Sequence, residues 1–253
     1  MVSRPIPPAQ GTAKPPTVRR AAPDGRYHRG VVDLPRHLSQ GAVGRERLSR
    51  DALASYQRER ILIAATDVFA KRGYQETTVE HIVDAWEGSV GSFYGHFDGK
   101  ESCFLGVFDR VVEQGRERLA DAVAGEKRWS ARAYAGLGAL VEATVAEPLA
   151  ARIVLVEAQS AGAQAREHYL ALLDEVAAWL RGGRRGRPEA RSLPETFEQA
   201  AVGGTAYFLQ QRLLAADAGS ATELLAETSQ VVLEPILGST ELRRLGSTLA
   251  LAG

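Results

Sequence analysis

The chain has 253 residues, and its 31 Lys and Arg balance 31 Asp and Glu, so its overall charge marks neither a basic nor an acidic protein. Its single cysteine, Cys103, excludes internal disulfides and cysteine-rich metal sites, which suits a reducing cytoplasm. The sequence has no run of about 18 uncharged apolar residues and no apolar core of a signal peptide near its start. We therefore expect a cytoplasmic protein without a membrane partner.

Residues 1–50 differ in composition from the rest of the chain. They hold ten Lys and Arg against three acidic residues, together with most of the prolines, and they show no apolar periodicity. This composition predicts a disordered basic arm. Two interpretations are open: the arm contacts DNA phosphates or a minor groove, or it is an inert tail. Residues 51–110 are acidic, with ten Asp and Glu against six Lys and Arg.

A first helix is predicted over residues 52–71, because its apolar residues recur at helical spacing on one face. Gly73 follows as a C-terminal cap, since glycine accepts the left-handed conformation that often ends a helix. The residues that form the apolar face are Ile61, Ala64, Ala65, Val68 and Phe69.

The stretch from residue 77 to residue 100 predicts two short helices joined by a tight turn. Thr77-x-x-Glu80 fits a capping box at the start of the first helix, which ends at Gly88. The second helix, predicted over residues 89–96, buries Phe93 and Phe97. A short helix held in this way is typical of a helix-turn-helix DNA reader. The side chains left for solvent or a partner are Ser89, Val90, Ser92, Tyr94 and His96.

The remaining chain predicts further helices and no strand. One helix begins at a second capping pattern, Asp98-x-x-Glu101, and ends near Gly125. Apolar periodicity predicts the next helices over residues 131–146, 150–161, 166–180, 196–216 and 221–233. The segment 150–161 is nearly apolar all round and is expected to be buried. Paired Gly203 and Gly204 inside a helix cost about 1 kcal/mol each relative to alanine, so a second helix is expected to approach closely there.

Residues 61–104 resemble the DNA-binding domain of TetR-family transcriptional regulators. The resemblance rests on ILIAATDVFAKRGYQETTVEHIV followed by GSFYGHFDGKE. The segments VGGTAYFLQQRLLA and ELLAETSQVVLEPILG are similar, more weakly, to the last two helices of that family, which form its dimer interface. The resemblance implies an all-α protein, with a three-helix helix-turn-helix domain over residues 51–100 and a larger helical ligand-binding and dimerisation domain over residues 101–253.

The resemblance also implies which residues contact DNA. Phosphate contacts would fall on Thr77 or Thr78, and on Tyr94, His96 and Lys100, and base edges in the major groove would be faced by Ser89, Val90, Gly91 and Ser92. The reading helix contains no Arg, Lys, Asn or Gln, the residues that make bidentate base contacts. We therefore expect hydroxyl, methyl and shape contacts instead.

One segment departs from the family pattern. Trp86-Glu87-Gly88-Ser89 stands where members usually have Ala-Gly-Val-Ser, so the turn glycine is displaced by one position. Glu87 would need a backbone angle that glycine accepts more easily. Two expectations follow: the turn is rearranged, or the head binds DNA weakly.

The sequence contains no recognisable catalytic or metal-binding motif. The five histidines lack metal-ligand spacing, Cys103 has no neighbouring base, and Gly136-x-Gly138 is not followed by the third glycine of a dinucleotide loop. We expect no enzyme, no cofactor and no metal. An α-helical enzyme would need a bound cofactor to support it.

Aromatic and polar side chains in the larger domain suggest an effector cavity, although each could equally be ordinary core. The predicted pocket residues are Phe108, Trp129, Tyr134, Glu157, His168, Tyr169, Tyr207 and Gln211. The predicted dimer-interface residues, taken from the family resemblance, are Val202, Gly203, Tyr207, Leu224, Leu225, Val231 and Val232.

We therefore expect a ligand-responsive repressor. A homodimer would place two heads on a near-palindromic operator and release it when a small apolar or amphipathic effector enters the larger domain. The alternative is a dimeric helical ligand-binding or scaffold protein whose head has weakened or lost DNA binding, as the acidic head and the atypical turn would allow.

Overall fold

The structure, a computed structural model, describes residues 50–215 and 219–250. The predicted arm lies outside these residues, apart from Arg50. The described part is all-α and contains no strand, as the sequence predicts. Its helices are α1 (Arg50–Arg72), α2 (Val79–Trp86), α3 (Val90–Tyr94), α4 (Lys100–Val123), α5 (Trp129–Ala146), α6 (Pro148–Leu155), α7 (Ala163–Arg181), α8 (Phe197–Leu214), α9 (Ala221–Val232), α10 (Glu234–Leu237) and α11 (Ser239–Ala250).

An aromatic cluster joins α1 to α4. The rings of Phe69 and Phe104 meet edge to face with centroids 5.1 Å apart, and Tyr74 approaches Phe104 in the same way at 5.2 Å. Phe69 and Phe104 are fully buried. The same core includes residues of α2, α3, α6 and α7, so it is continuous across the predicted domain boundary at residue 100. The division into two domains stays a prediction.

The helix starts differ from the predicted capping boxes. Thr78, not Thr77, caps α2: its Oγ1 accepts from the His81 backbone N–H, and His81 Nδ1 accepts from the Thr78 N–H in return. Thr77 is buried, and its hydroxyl donates to the Gly73 carbonyl at 2.7 Å. At α4 the cap residue is Gly99, whose N–H donates to Ser102 Oγ, so the predicted Asp98 box was wrong.

Two helices are shorter than predicted. The reading helix α3 has five residues, Val90–Tyr94, against a predicted span of 89–96. Helix α6 ends at Leu155, and a 3₁₀ turn, Glu157–Gln159, follows it. Within α6 only Ile153 is fully buried, so the predicted central buried helix is a half-buried one. Its two turns are too short to be surrounded on every side.

A second core forms between α5 and α7–α11. Ala177, Leu180, Leu233 and Ile236 are buried in it. Glu198, also fully buried, accepts a bidentate pair of hydrogen bonds from Arg184 at 2.5 and 2.9 Å. This pair fixes the polar loop after α7 against α8. In the described ranges no helix is long and apolar enough to cross a membrane.

Candidate nucleic-acid interface

The turn between α2 and α3 closes in a regular way despite its atypical sequence. Glu87 adopts the left-handed conformation, with φ 62° and ψ 38°, and its N–H donates to the Asp84 carbonyl at 3.2 Å. The Gly88 N–H donates to the Val83 carbonyl at 3.2 Å. These two bonds form a Schellman motif with glutamate at the position that usually holds glycine. The expected strain at Glu87 is therefore present, and the turn nonetheless closes as a Schellman motif.

The displaced glycine has a steric reason. A methyl group at Gly88 would lie 2.1 Å from a ring carbon of Trp86. Trp86 is buried in the head core, so its ring needs the space that Gly88 leaves. Gly88 itself has no positive φ among the described backbone angles. Glycine is therefore required at residue 88 for packing, and Glu87 carries the left-handed angle.

Helix α3 is anchored on one side and open on the other. Phe93 and Phe97 are buried, with ring centroids 5.6 Å apart, as predicted. Ser89 caps the helix, because its Oγ accepts from the Ser92 N–H at 3.1 Å. The open side carries Val90, Gly91 and Tyr94, all exposed. The geometry therefore presents α3 to a partner.

The predicted phosphate contacts occupy different environments. Thr78 is exposed, whereas the buried Thr77 hydroxyl is already bonded, so Thr78 is the one of the pair that can meet a partner. His96 is half-buried, and its Nε2 lies 3.4 Å from Gln57 Oε1 on α1. Tyr94 is exposed on α3.

Lys100 has a structural role in this conformation. Its Nζ donates to the carbonyls of Tyr74 and Gln75 at 2.9 and 3.4 Å, and it lies 4.3 Å from the centre of the Tyr74 ring. An ammonium has three donors, so one remains for a phosphate while two hold the turn after α1.

Exposed carboxylates surround the head. Glu80, Asp84, Glu87 and Asp98 are all exposed. A hydrogen bond from its own backbone N–H, together with one from Thr78, lowers the pKa of Glu80. Carboxylates repel phosphate, so these side chains oppose the attraction of this surface to DNA.

A polar latch that the sequence did not reveal connects the segment after α6 to the end of α1. We define the latch as Arg152, Glu157 and Gln75. Glu157 Oε2 accepts from the Tyr74 N–H at 2.8 Å, and Arg152 Nε donates to the Ala70 carbonyl at 3.0 Å. Gln75 Nε2 donates to the Ser160 carbonyl at 2.8 Å, and Arg152 lies 3.3 Å from Glu157. The available signal was a carboxylate five residues after an arginine in an apolar segment.

The eight predicted pocket residues do not lie together around one described concavity, and their assignment to an effector site stays a prediction. Phe108, Glu157 and Tyr169 are buried in the core shared with the head, and Tyr134 is buried in the other core, with Trp129 partly buried against it. His168, Tyr207 and Gln211 are exposed. Two concavities lie elsewhere: one of about 410 Å³ on the outer face of α7, and one of about 170 Å³ between α8 and α9. Neither is lined by a predicted pocket residue, because those side chains already pack on one another or point outward.

The predicted dimer residues divide in the same way. Val202, Leu224 and Val232 are buried within the chain, and their assignment to a dimer interface stays a prediction. Leu225 packs 3.4 Å from the position of a methyl group at Gly138. Tyr207 and Val231 are more than half exposed, and Gly203 is partly exposed. Helical periodicity alone did not separate the inner from the outer face of these two helices.

The remaining candidate reactive groups are a buried thiol and an exposed histidine. Burial raises the pKa of the Cys103 thiol to about 12, so it stays protonated. His168 Nδ1 lies 3.3 Å from Asp109 Oδ1 on an exposed surface. No group of three or more possible metal ligands occurs in the part of the chain that the structure describes.

Residues 61–107 match the family model described as bacterial regulatory proteins, tetR family. Two curated relatives resemble the same region. The HTH-type transcriptional regulator QacR of Staphylococcus aureus is 40% identical over 61 residues, which are 24% of this chain and 32% of QacR. The HTH-type transcriptional repressor KstR2 of Rhodococcus jostii is 38% identical over 73 residues, which are 27% of this chain and 36% of KstR2. The matched part thus spans about a third of these relatives.

Solved structures extend the similarity beyond residues 61–107 at the level of fold. The regulator FadR of Bacillus subtilis, in complex with stearoyl-CoA, superposes with a TM-score of 0.60 at 17% identity, covering 71% of this chain and 98% of FadR. A gamma-butyrolactone receptor described as ArpA-like gives a TM-score of 0.60 at 21% identity, covering 79% of this chain and 97% of the receptor. These relatives and neighbours are regulators and receptors, not enzymes. The capped α2–α3 unit and its buried aromatic anchors lie within residues 61–107, the part of the chain that matches the tetR-family model.

Proposed function

We propose that the chain is a ligand-responsive, DNA-binding transcriptional regulator that acts as a repressor. The observation that carries the proposal is the α2–turn–α3 unit, whose reading helix is anchored by Phe93 and Phe97 and open at Val90, Gly91 and Tyr94. Phosphate contacts are assigned to Thr78, Tyr94 and His96, with Lys100 contributing its free donor. Base edges are assigned to Ser89, Val90, Gly91 and Ser92.

A homodimer would deliver two heads to a near-palindromic operator, because two-fold symmetry requires two matched half-sites. The outer faces of α8 and α9 support this assembly. Tyr207 is 62% and Val231 55% exposed. Within the described residues, a methyl group at Gly203 or Gly204 would meet nothing within 4 Å. The glycine pair therefore has no packing reason inside the described part of the chain, and a helix of a second copy supplies one.

The effector is proposed to be a small apolar or amphipathic molecule. Support comes from the stearoyl-CoA named with FadR and the gamma-butyrolactone named with the ArpA-like receptor. It would loosen operator binding only if it prefers the conformation that does not fit DNA, since equal affinity shifts nothing. The latch could transmit a change caused by effector binding to the DNA-binding helices, because it joins the segment after α6 to the turn that precedes α2.

A second candidate is a dimeric helical ligand-binding or scaffold protein with weakened DNA binding. The exposed carboxylates at Glu80, Asp84, Glu87 and Asp98 favour it, because they repel phosphate. The two candidates differ in one measurable property, which is sequence-dependent affinity for duplex DNA.

The test is a mobility-shift titration of the full chain against the DNA upstream of its own gene and a scrambled duplex, at several salt concentrations. The repressor predicts preference for the upstream duplex. It also predicts weakening in Tyr94→Phe, which loses only the hydroxyl, and more in Tyr94→Ala. Lys71→Ala is the control, since this exposed lysine pairs with Asp67 within α1. Equal binding of both duplexes, or no retardation, would favour the scaffold.

A further inference from the structure

Two exposed apolar side chains dominate the open face of α3. Val90 is 44% and Tyr94 54% exposed. They are four residues apart, so they lie on one side of the helix, one turn from each other. A methyl group at Gly91 would meet nothing within 4 Å in the described residues. The face is therefore unobstructed as well as apolar.

The polar groups of the same helix offer little for reading bases. Val90–Tyr94 contains no guanidinium, ammonium or carboxamide group. Ser89 already uses its oxygen as an acceptor for the Ser92 N–H. In the major groove, thymine alone among the four standard bases presents an apolar group, its C5 methyl. An apolar reading face and an apolar base edge are complementary.

We propose that α3 selects thymine, with Val90 packing against the thymine C5 methyl group and the ring of Tyr94 flanking it, while the Tyr94 hydroxyl keeps its assigned phosphate contact. This inference rests on the proposed function and adds the base class that the head prefers. The exposed Glu87 at the turn before α3 supports it, because a carboxylate there weakens sequence-independent attraction to phosphate. Discrimination between sequences then depends more on contacts with base edges.

The experiment removes the methyl group from the DNA. Duplexes are selected from a random library by the full chain, and each thymine that the selection enriches is replaced by deoxyuridine, which keeps the base pair and loses only the C5 methyl. Burial of one such group is worth roughly 0.8 kcal/mol, or about fourfold in affinity. One replacement in each half-site should therefore weaken binding about 16-fold.

Val90→Ala should bind the thymine and uracil duplexes with equal affinity at the thymine that it contacts, because the side chain that senses the methyl is gone. Alanine is also the better helix former, so this exposed substitution does not threaten the fold. Ile63→Ala removes another exposed β-branched side chain, on α1, and should retain the full loss on uracil. The variants are compared as ratios of affinity, so a uniform change in DNA binding does not affect the readout.

The outcomes separate the inference from the function on which it rests. A loss on uracil with the wild-type chain that disappears in Val90→Ala supports the proposal. The proposal is overturned if the selected operators bind equally well with uracil at every thymine position. It is also overturned if the loss of affinity on uracil persists in Val90→Ala. Failure to select any duplex overturns the proposed function, and this inference with it.

Discussion

Gly88→Ala should destabilise the protein through a single steric contact. The added methyl would lie 2.1, 2.2 and 2.6 Å from three ring carbons of Trp86, whereas carbon atoms pack at about 3.5–4.0 Å. The ring must therefore retreat by about 1.5 Å into a core in which it is already buried. Overpacking of this kind costs about 1–3 kcal/mol, or roughly 2–12 °C in Tm for a domain of this size.

The neighbouring substitution Glu87→Gly should act in the opposite direction. A left-handed angle costs a residue with a side chain about 1–2 kcal/mol, and glycine loses about 0.5–1 kcal/mol of that gain in chain entropy. The net stabilisation is up to about 1.5 kcal/mol. The two substitutions should change the free energy of unfolding in opposite directions. This expectation is stringent, because general damage to the turn would destabilise both variants.

The assay is urea unfolding followed by circular dichroism, with Gly91→Ala as the control. Gly91 lies on the exposed face of α3, where a methyl group meets nothing within 4 Å in the described part, so this variant should gain about 1 kcal/mol from helix propensity. Trp86→Ala combined with Gly88→Ala should show strong coupling, since removal of the ring removes the clash. A Gly88→Ala chain as stable as wild type would refute the packing explanation for the displaced glycine.

Three further predictions concern the rest of the molecule. Glu157→Ala leaves the Tyr74 N–H and Arg152 without their carboxylate and should lower the free energy of unfolding in urea by about 3 kcal/mol. The control Glu147→Ala removes the partly exposed ion pair with Arg118 and should lower it by less than about 1 kcal/mol. Equal losses in the two variants would contradict the latch. Burial by itself would raise the pKa of Glu198, but the hydrogen bonds from Arg184 outweigh burial and lower the pKa. The ionised carboxylate therefore stabilises the fold above its unfolded pKa of about 4.3, and this contribution is lost as pH falls through the lowered folded value. Glu198→Gln should unfold more easily at pH 7 and show a shallower dependence of stability on acid pH, and an unchanged pH slope would count against the Arg184–Glu198 pair. Gly204→Ala should shift the chain towards monomer in sedimentation, while the helix gains up to about 1 kcal/mol of stability from the higher helix propensity of alanine. An unchanged dissociation constant of the dimer would show that the glycine pair lies outside the interface.

Helix periodicity and the anchors of the head were readable from local sequence. The face formed by Ile61, Ala65 and Phe69 was predicted and is buried, as are Phe93 and Phe97. These assignments depend on residues within one or two turns of each other, where the geometry of a helix fixes which side chains share a face. The open side of α3 was readable for the same reason.

Choices between adjacent residues were not readable. Thr77 and Thr78 are the same residue type, and only the Gly73 carbonyl, which takes the Thr77 hydroxyl, decides that Thr78 is the cap. The strained Glu87 was anticipated, yet its reason was not, because the ring of Trp86 had to be placed over Gly88 first. Side-chain direction within a turn depends on the packing of several elements.

The sequence by itself determined the helical class of the described residues and the resemblance of residues 61–107 to the tetR-family model. Only the tertiary structure decided which residues are free to bind. Glu157, taken as a ligand contact, meets Tyr74 across 83 residues, and Val202, Leu224 and Val232 face inward. Local spacing defines a helix face, but the partner that covers it is supplied by distant parts of the chain, so burial and hydrogen-bond partners cannot be read from periodicity.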